Sequence, residues 1–295
     1  MPTDNVNGLL LIDKPAGPTS HDVVAAARRA LGTRRIGHTG TLDPFATGLL
    51  MLLVGRVTRL AEYLSGPPKR YDARLRLGIA TDTDDATGSV IATSEDWSAL
   101  APASVRSALE SHVGERLQLP PSFSAKKVGG RRSYTAARQG ETMPLAPAAV
   151  RIESLRVTSL ELPDVAFEVT CSTGTYIRAI ARDIGSELGV PAHLAMLRRT
   201  AIGPFDVTEA TRLEDLTPER ALAALRPPIE ALRHVQRVDI DPVAAGVLMH
   251  GGRVALQTPG GALPGIAAVT TGERLLAVAD VKDGWIVPRK VLADG

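Results

Sequence analysis

The chain has a single cysteine, Cys171, among its 295 residues. That excludes an internal disulfide and any metal site built on a cysteine cluster. No stretch reaches the roughly 18 consecutive apolar residues of a membrane-spanning helix. The opening "MPTDNVNGLLLIDKP" has no basic segment leading into a long apolar run, so no secretory signal is expected. The phosphate-loop pattern GxxxxGK(S/T) is absent. Residues 37–48 hold no His/Asp/Glu cluster at metal-ligand spacing, and no Ser-His-Asp set is apparent. Charge imbalance is small as well. A formal net charge of +2 neither demands nor excludes a nucleic-acid partner. With 44% hydrophobic residues the chain can bury a sizeable core. A soluble, cytoplasmic protein is expected.

What is present is a mixture of strand and helix patterns. "GLLLID" (8–13) and "LLMLLV" (49–54) read as buried strands. "YDARLRLGI" and "VAFEVTCS" alternate apolar and polar, as half-buried strands do, and the second places Cys171 in the core. "HDVVAAARRAL" reads as a helix capped by Ser20 and closed by Gly32. "TRLAEYL" (58–64), "ASVRSALESHVG" and "TYIRAIARDIGSELG" read as further helices, the last with Ile177, Ile180, Ala181, Ile184 and Leu188 inward. Regular βαβ alternation is missing, so the fold class is α+β. A linker is expected over 226–238. Beyond it lies strand-and-turn material, a small β-rich appendage of about 55 residues, near the lower limit for an independent domain.

Two stretches carry chemistry. "QLPPSFSAKKVGGRRSYTAARQG" (118–140) holds Lys126, Lys127, Arg131, Arg132 and Arg138 and no acid, with Phe123 and Tyr134 interleaved. It reads as a solvated loop or as an arm that contacts phosphates, and Gly129-Gly130 would let such an arm move. "GHTGTLDPFATG" (37–48) holds one carboxylate, Asp43, among glycines and hydroxyls, directly before a buried strand. Pro44 biases Asp43 toward an extended conformation. The glycines allow tight turns and leave room for a ligand.

The second stretch resembles the aspartate-bearing motif of the bacterial tRNA pseudouridine-55 synthases, the TruB family. "LLIDKPAGPTSHDVV", "KRYDARLRLGIATDTDDATG", the basic stretch, "CSTGTYIRAIARDIGSELG" and "AHLAMLRRTAIGPF" continue the resemblance in order, from residue 8 to about 208. It implies a pseudouridine-synthase-type mixed β-sheet core flanked by helices over residues 1–236. An RNA-binding arm is inserted at 118–150, and a small PUA-like RNA-binding domain follows over 237–295.

The implied activity is isomerisation of uridine 55 in the T-stem-loop of tRNA, with no cofactor and no metal. Asp43 is implied as the catalytic nucleophile or base, and the residues leave both routes open. The resemblance pairs Arg178 with Asp43, which would keep the acid ionised. It stacks Tyr71 on the target base and makes Tyr176 and Leu197 pocket residues. His38 would support flipped-out nucleotides, and Asp85 would hold nearby arginines. Lys126, Lys127, Arg131 and Arg132 would meet phosphates. Lys14, in "DKP", reads equally as structural. A monomer acting on tRNA is implied, without an obligatory protein partner or a membrane. A non-catalytic tRNA-binding or tRNA-folding protein of the same fold is the alternative.

Overall fold

The computed structural model describes residues 6–123, 127–128, 131–132, 144–256 and 263–292. The buried run at the N-terminus forms β1 (Gly8–Lys14), in which every residue except Asp13 is buried. Helix α1 (Ser20–Leu31) follows a capping box: the Thr19 hydroxyl accepts from the Asp22 amide, and the Asp22 carboxylate accepts from the Thr19 amide. The cap is therefore Thr19 and not Ser20, whose hydroxyl is engaged elsewhere. Gly32 closes the helix in the left-handed region, at φ 63°.

The chain continues through β2 (Ile36–His38), the Asp43 loop and β3 (Thr47–Val54). Residues 58–64, expected as one helix, divide between a tight 3-10 turn over Gly55–Leu60 and one α-turn, α2 (Ala61–Leu64). Strand β4 (Lys69–Leu77) alternates buried and outward residues as its sequence demands. The hairpin β5 (Ile79–Thr81) and β6 (Val90–Thr93), helix α3 (Pro102–Glu110) and β7 (Gly114–Gln118) come next.

Between β7 and β10 (Ala148–Glu161), β8 (Lys127–Val128) pairs with β9 (Arg131–Arg132). Lys127, Arg131 and Arg132 thus lie on one short hairpin, whereas Lys126 and Arg138 lie outside the described residues. The chain then passes through β11 (Asp164–Cys171), α4 (Ile177–Glu187) and β12 (Ala192–Ile202). Two-residue strands β13 (Phe205–Asp206) and β14 (Thr211–Arg212) precede α5 (Pro218–Ala223).

Among the described residues these strands, apart from the separate pairs β5–β6 and β8–β9, form one mixed sheet, in the order β14-β1-β3-β12-β4-β11-β10-β7, with β2 on β3 and β13 on β12. The two halves meet where β3 and β12 run parallel, with Thr47 opposite Arg198 and Gly48 opposite Arg199. Gly48 has φ +102°, and a β-carbon there would lie 2.2 Å from the Arg199 carbonyl oxygen. Only glycine permits that approach. On one face α4 lays Ile177, Ile180, Ala181 and Ile184 against Tyr71, Ala73, Leu75 and Leu77. The expected α+β core is present.

The last part of the chain forms a second sheet from β15 (Gln236–Asp239), β16 (Val254–Ala255), β17 (Gly265–Thr271), β18 (Arg274–Lys282) and β19 (Trp285–Val291), with α6 (Pro242–Met249) against it. Residues 226–238 are not a free linker. Arg226 and Leu9 exchange both backbone hydrogen bonds, at 2.8 and 3.0 Å, and Ala231 and Leu232 are buried. Ala268, Leu275, Val278 and Leu292 of the second sheet share one apolar cluster with Leu9, Leu11, Leu49 and Met51 of the first. No helix among the described residues is long and apolar enough to cross a membrane.

Candidate active site

A pocket of about 240 Å³ opens at the β3–β12 junction. Its walls include Asp43, Lys69, Tyr71, Tyr176, Arg178, Leu197 and Arg199, together with Gly40–Leu42 and Thr173–Thr175. Asp43 is its one carboxylate among the described residues.

The loop bearing Asp43 is held at several points by side chains outside it. Ser20 accepts from the Leu42 amide at 2.9 Å and donates to the Leu42 carbonyl at 3.1 Å. Lys14 donates to the carbonyls of Pro15, Pro18 and Pro44. Its burial at the end of β1 lowers its pKa to about 8, against the opposing pull of Asp43. Arg199, 1% exposed, donates from Nε to Leu49 O, from Nη1 to Thr41 O and from Nη2 to Gly40 O. Each tie satisfies backbone that a tight loop leaves unpaired. Asp43 itself makes none of these bonds, so its carboxylate is presented by a frame independent of it.

Arg178 stands in the first turn of α4. Gln118 fixes the start of that helix by accepting from the Tyr176 amide at 2.8 Å and donating to the Tyr176 carbonyl at 3.0 Å. The Arg178 guanidinium donates to Asp43 from Nε at 2.9 Å and from Nη2 at 3.3 Å, a forked pairing. Its other donors reach Thr83 O and Phe123 O. Asp85 approaches Nε at 3.6 Å and is itself satisfied by Thr83 and Thr87. One guanidinium therefore serves two carboxylates.

The sequence reading expected this arginine to keep Asp43 ionised. Arg178 does favour the charged form, but burial works against it. Burial is the larger influence and pushes the Asp43 carboxyl above the usual carboxylate range, while Arg178 opposes it and Asp85 adds to it. Burial raises the Tyr71 phenol too, opposed by Arg199.

The residues expected in the pocket divide in two. Asp43, Tyr71, Tyr176, Arg178 and Leu197 converge on it. Asp85 lies behind Arg178. His38 lies at the end of β2, edge-on to His21 with ring centroids 5.8 Å apart, and is not on the pocket wall. Its pKa is lowered, first by burial and then by His21 and Arg199. Sequence reasoning missed Arg199, Gln118, Lys69 and the tie from Ser20 to Leu42. Strand alternation could have flagged Lys69, which shares a face with Tyr71, Ala73 and Leu75.

Comparison with known proteins places the chain in a family. The model of the TruB family pseudouridylate synthase N-terminal domain matches residues 28–177, and that of the tRNA pseudouridylate synthase B C-terminal domain matches 178–237. The tRNA pseudouridine synthase B of Thermobifida fusca (strain YX) is 41% identical over 295 residues, covering 97% of this chain and 99% of the relative. That of Corynebacterium jeikeium (strain K411) is 48% identical over 224 residues, 73% of each chain. A protein from a solved H/ACA RNP bound to a substrate RNA containing 2′-deoxyuridine superposes with a TM-score of 0.74 at 26% identity, covering 97% of this chain and 85% of that one. With two family models in tandem and a full-length relative above 40% identity, this chain belongs to the TruB family of pseudouridylate synthases.

Proposed function

We propose that the chain is a tRNA pseudouridine synthase that isomerises uridine 55 of the T-stem-loop, with Asp43 as the reacting carboxylate. One observation carries this reading: a single acid faces a nucleotide-sized pocket, forked to a buried arginine and flanked by a tyrosine and a leucine. The target base is extruded from the RNA and enters against Tyr71. The N1–C1′ bond breaks, the uracil turns, the C5–C1′ bond forms and the C5 proton leaves. Asp43 acts at the sugar, as nucleophile at C1′ or as base at C2′. Tyr176 and Leu197 bound the base, Asp85 holds Arg178, and His38 supports the displaced nucleotides from behind the loop. The reading divides the chain into a catalytic domain, 1–236, with an RNA-binding arm at 118–150, and a PUA-like RNA-binding domain, 237–295. The protein works as a monomer in the cytoplasm.

The direct test uses unmodified tRNA carrying tritium at uridine C5. Tritium should be released from the transcript with uridine at position 55 and not from one with cytidine there. A protein that binds tRNA without releasing tritium would be a binding or folding factor instead. Tyr71→Leu should slow turnover at saturating tRNA, because base–aromatic stacking is worth about 1–3 kcal/mol per base. Wild-type turnover in that variant would remove Tyr71 from the base contact.

The arm has its own expected result. Replacing Lys126, Lys127, Arg131 and Arg132 by Ala should weaken tRNA binding more than chemistry on bound RNA. Each lost phosphate contact should take about 0.7–0.9 from the slope of log affinity against log salt. Titrations of one tRNA from low to high salt check this. An unchanged slope would assign these side chains to solvent.

A further inference from the structure

Three cations line the pocket: Arg178, Arg199 and Lys69. Arg178 is committed to Asp43 and two carbonyls. Arg199 is committed to Leu49, Thr41 and Gly40. Lys69 differs. It is 6% exposed, yet among the described residues its ammonium reaches only the carbonyls of Ser65 and Pro67, both at 3.4 Å, beyond the ordinary 2.7–3.2 Å range. Its stem lies beside Gly40, where a β-carbon would be 3.7 Å from Lys69 Cε. It stands two residues from Tyr71 on β4, so both side chains project to the same side of the sheet. A base stacked on Tyr71 would present a ring edge toward Lys69.

We propose that the Lys69 ammonium stabilises the uracil as it departs, by hydrogen bonding to a ring oxygen that gains negative charge. The inference rests on the isomerase reading above. When the N1–C1′ bond breaks, its electron pair goes to the uracil ring and spreads from N1 onto O2 and O4. Asp43 at the sugar and a cation at the ring then act on opposite ends of the same bond, by either route open to Asp43. No proton need leave Lys69. When C5 attacks C1′, the charge returns to the new bond, and the C5 proton is lost to solvent or base. A donor already in place, in a site that excludes water, acts most strongly where charge develops.

Burial and the neighbouring Arg199 lower the Lys69 pKa to about 8. The groups that face it are Arg199 from β12, Cys171 from β11, Tyr71 on its own strand and Asp43 from the loop. Cys171 is pushed up to about 11, chiefly by burial, and stays a neutral thiol near pH 8. Lys14 also stands at about 8 but is bound to Pro44.

The test compares wild type, Lys69→Met and Lys69→Arg on tRNA bearing uridine or 5-fluorouridine at position 55. Lys69→Met should lower the single-turnover rate about 10²–10³-fold, as removal of one donor to a developing anion does, with tRNA affinity little changed. Lys69→Arg should restore most of the rate. It should also displace the alkaline fall in kcat/KM expected of the wild type near pH 8. The Met defect should narrow on 5-fluorouridine, whose more acidic ring needs less help to leave; consumption of the nucleoside is followed by digestion and mass spectrometry. Three results overturn the proposal. A defect in affinity alone would make Lys69 a phosphate contact. A defect equal on both nucleosides, with lowered Tm, would make it a brace for the 65–67 turn. An alkaline limb unmoved in Lys69→Arg would assign that limb to Lys14. Should wild type itself release no tritium, the isomerase reading fails, which is a separate outcome.

Discussion

Asp43→Asn is expected to abolish pseudouridine formation while leaving tRNA affinity within about tenfold, or roughly 1.4 kcal/mol. No second carboxylate lines the pocket among the described residues, and Asp85, the nearest other acid, is buried behind Arg178 and fully engaged. The variant should fold. The loop is held by Ser20, Lys14 and Arg199 through its backbone, and none of those bonds uses the Asp43 side chain. Tritium release and tRNA affinity, measured on one preparation with deamidation excluded by mass spectrometry, decide the matter. Turnover surviving in that preparation would falsify the assignment of the acid.

Arg178→Met should be nearly as damaging, with a pH signature. In the proposed reaction Asp43 acts as the anion, and burial already raises its carboxyl above the usual carboxylate range. Activity is therefore lost as pH falls through that raised value. Removing the guanidinium takes away the main opposing influence, so the acid limb should move to higher pH. Stability should change in the opposite sense. A carboxyl whose folded pKa is raised holds its proton more tightly when folded, so its neutral form favours folding and that advantage is lost as pH rises. Arg178→Met should thus be less destabilised at low pH than at neutral pH. At neutral pH the loss should lie near the lower end of the about 3–5 kcal/mol for a broken buried pair, because the Asp43 side chain keeps 35% exposure to the pocket. Denaturation and single-turnover rates across pH test both halves. A pH-independent stability loss would show that Asp43 and Arg178 are not electrically coupled.

Much of this site is legible in the chain because short-range pattern determines it. The buried run of β1, the alternation of β4 and the Gly32 stop of α1 each follow from local chemistry. What escaped depends on neighbours distant in sequence. In the Arg198–Arg199 pair, one guanidinium reaches Asp13 near the surface and the other is sealed in the core. Register shifts in β12 after Leu194 and after Arg199 break the two-residue period that would have separated them. Ser20 looked like a cap because a hydroxyl opens a helix. Its true partner, Leu42, is set by tertiary packing. The expected linker failed for a related reason. Its prolines are real breaks in periodicity, but they direct a 3-10 turn onto Leu9 rather than into solvent.

The apolar cluster shared by the two sheets has a consequence for how the protein comes into being. Strand β1 leaves the ribosome long before β18 and β19, yet Leu9 and Leu11 share one buried cluster with Leu275, Val278 and Leu292. At about 5–20 residues per second of synthesis, the nascent chain carries this face incompletely covered until those later strands are made. A ribosome stalled before β18 should therefore hold a chain that chaperones recognise. Release of the final strands, rather than completion of the catalytic sheet, would end that association.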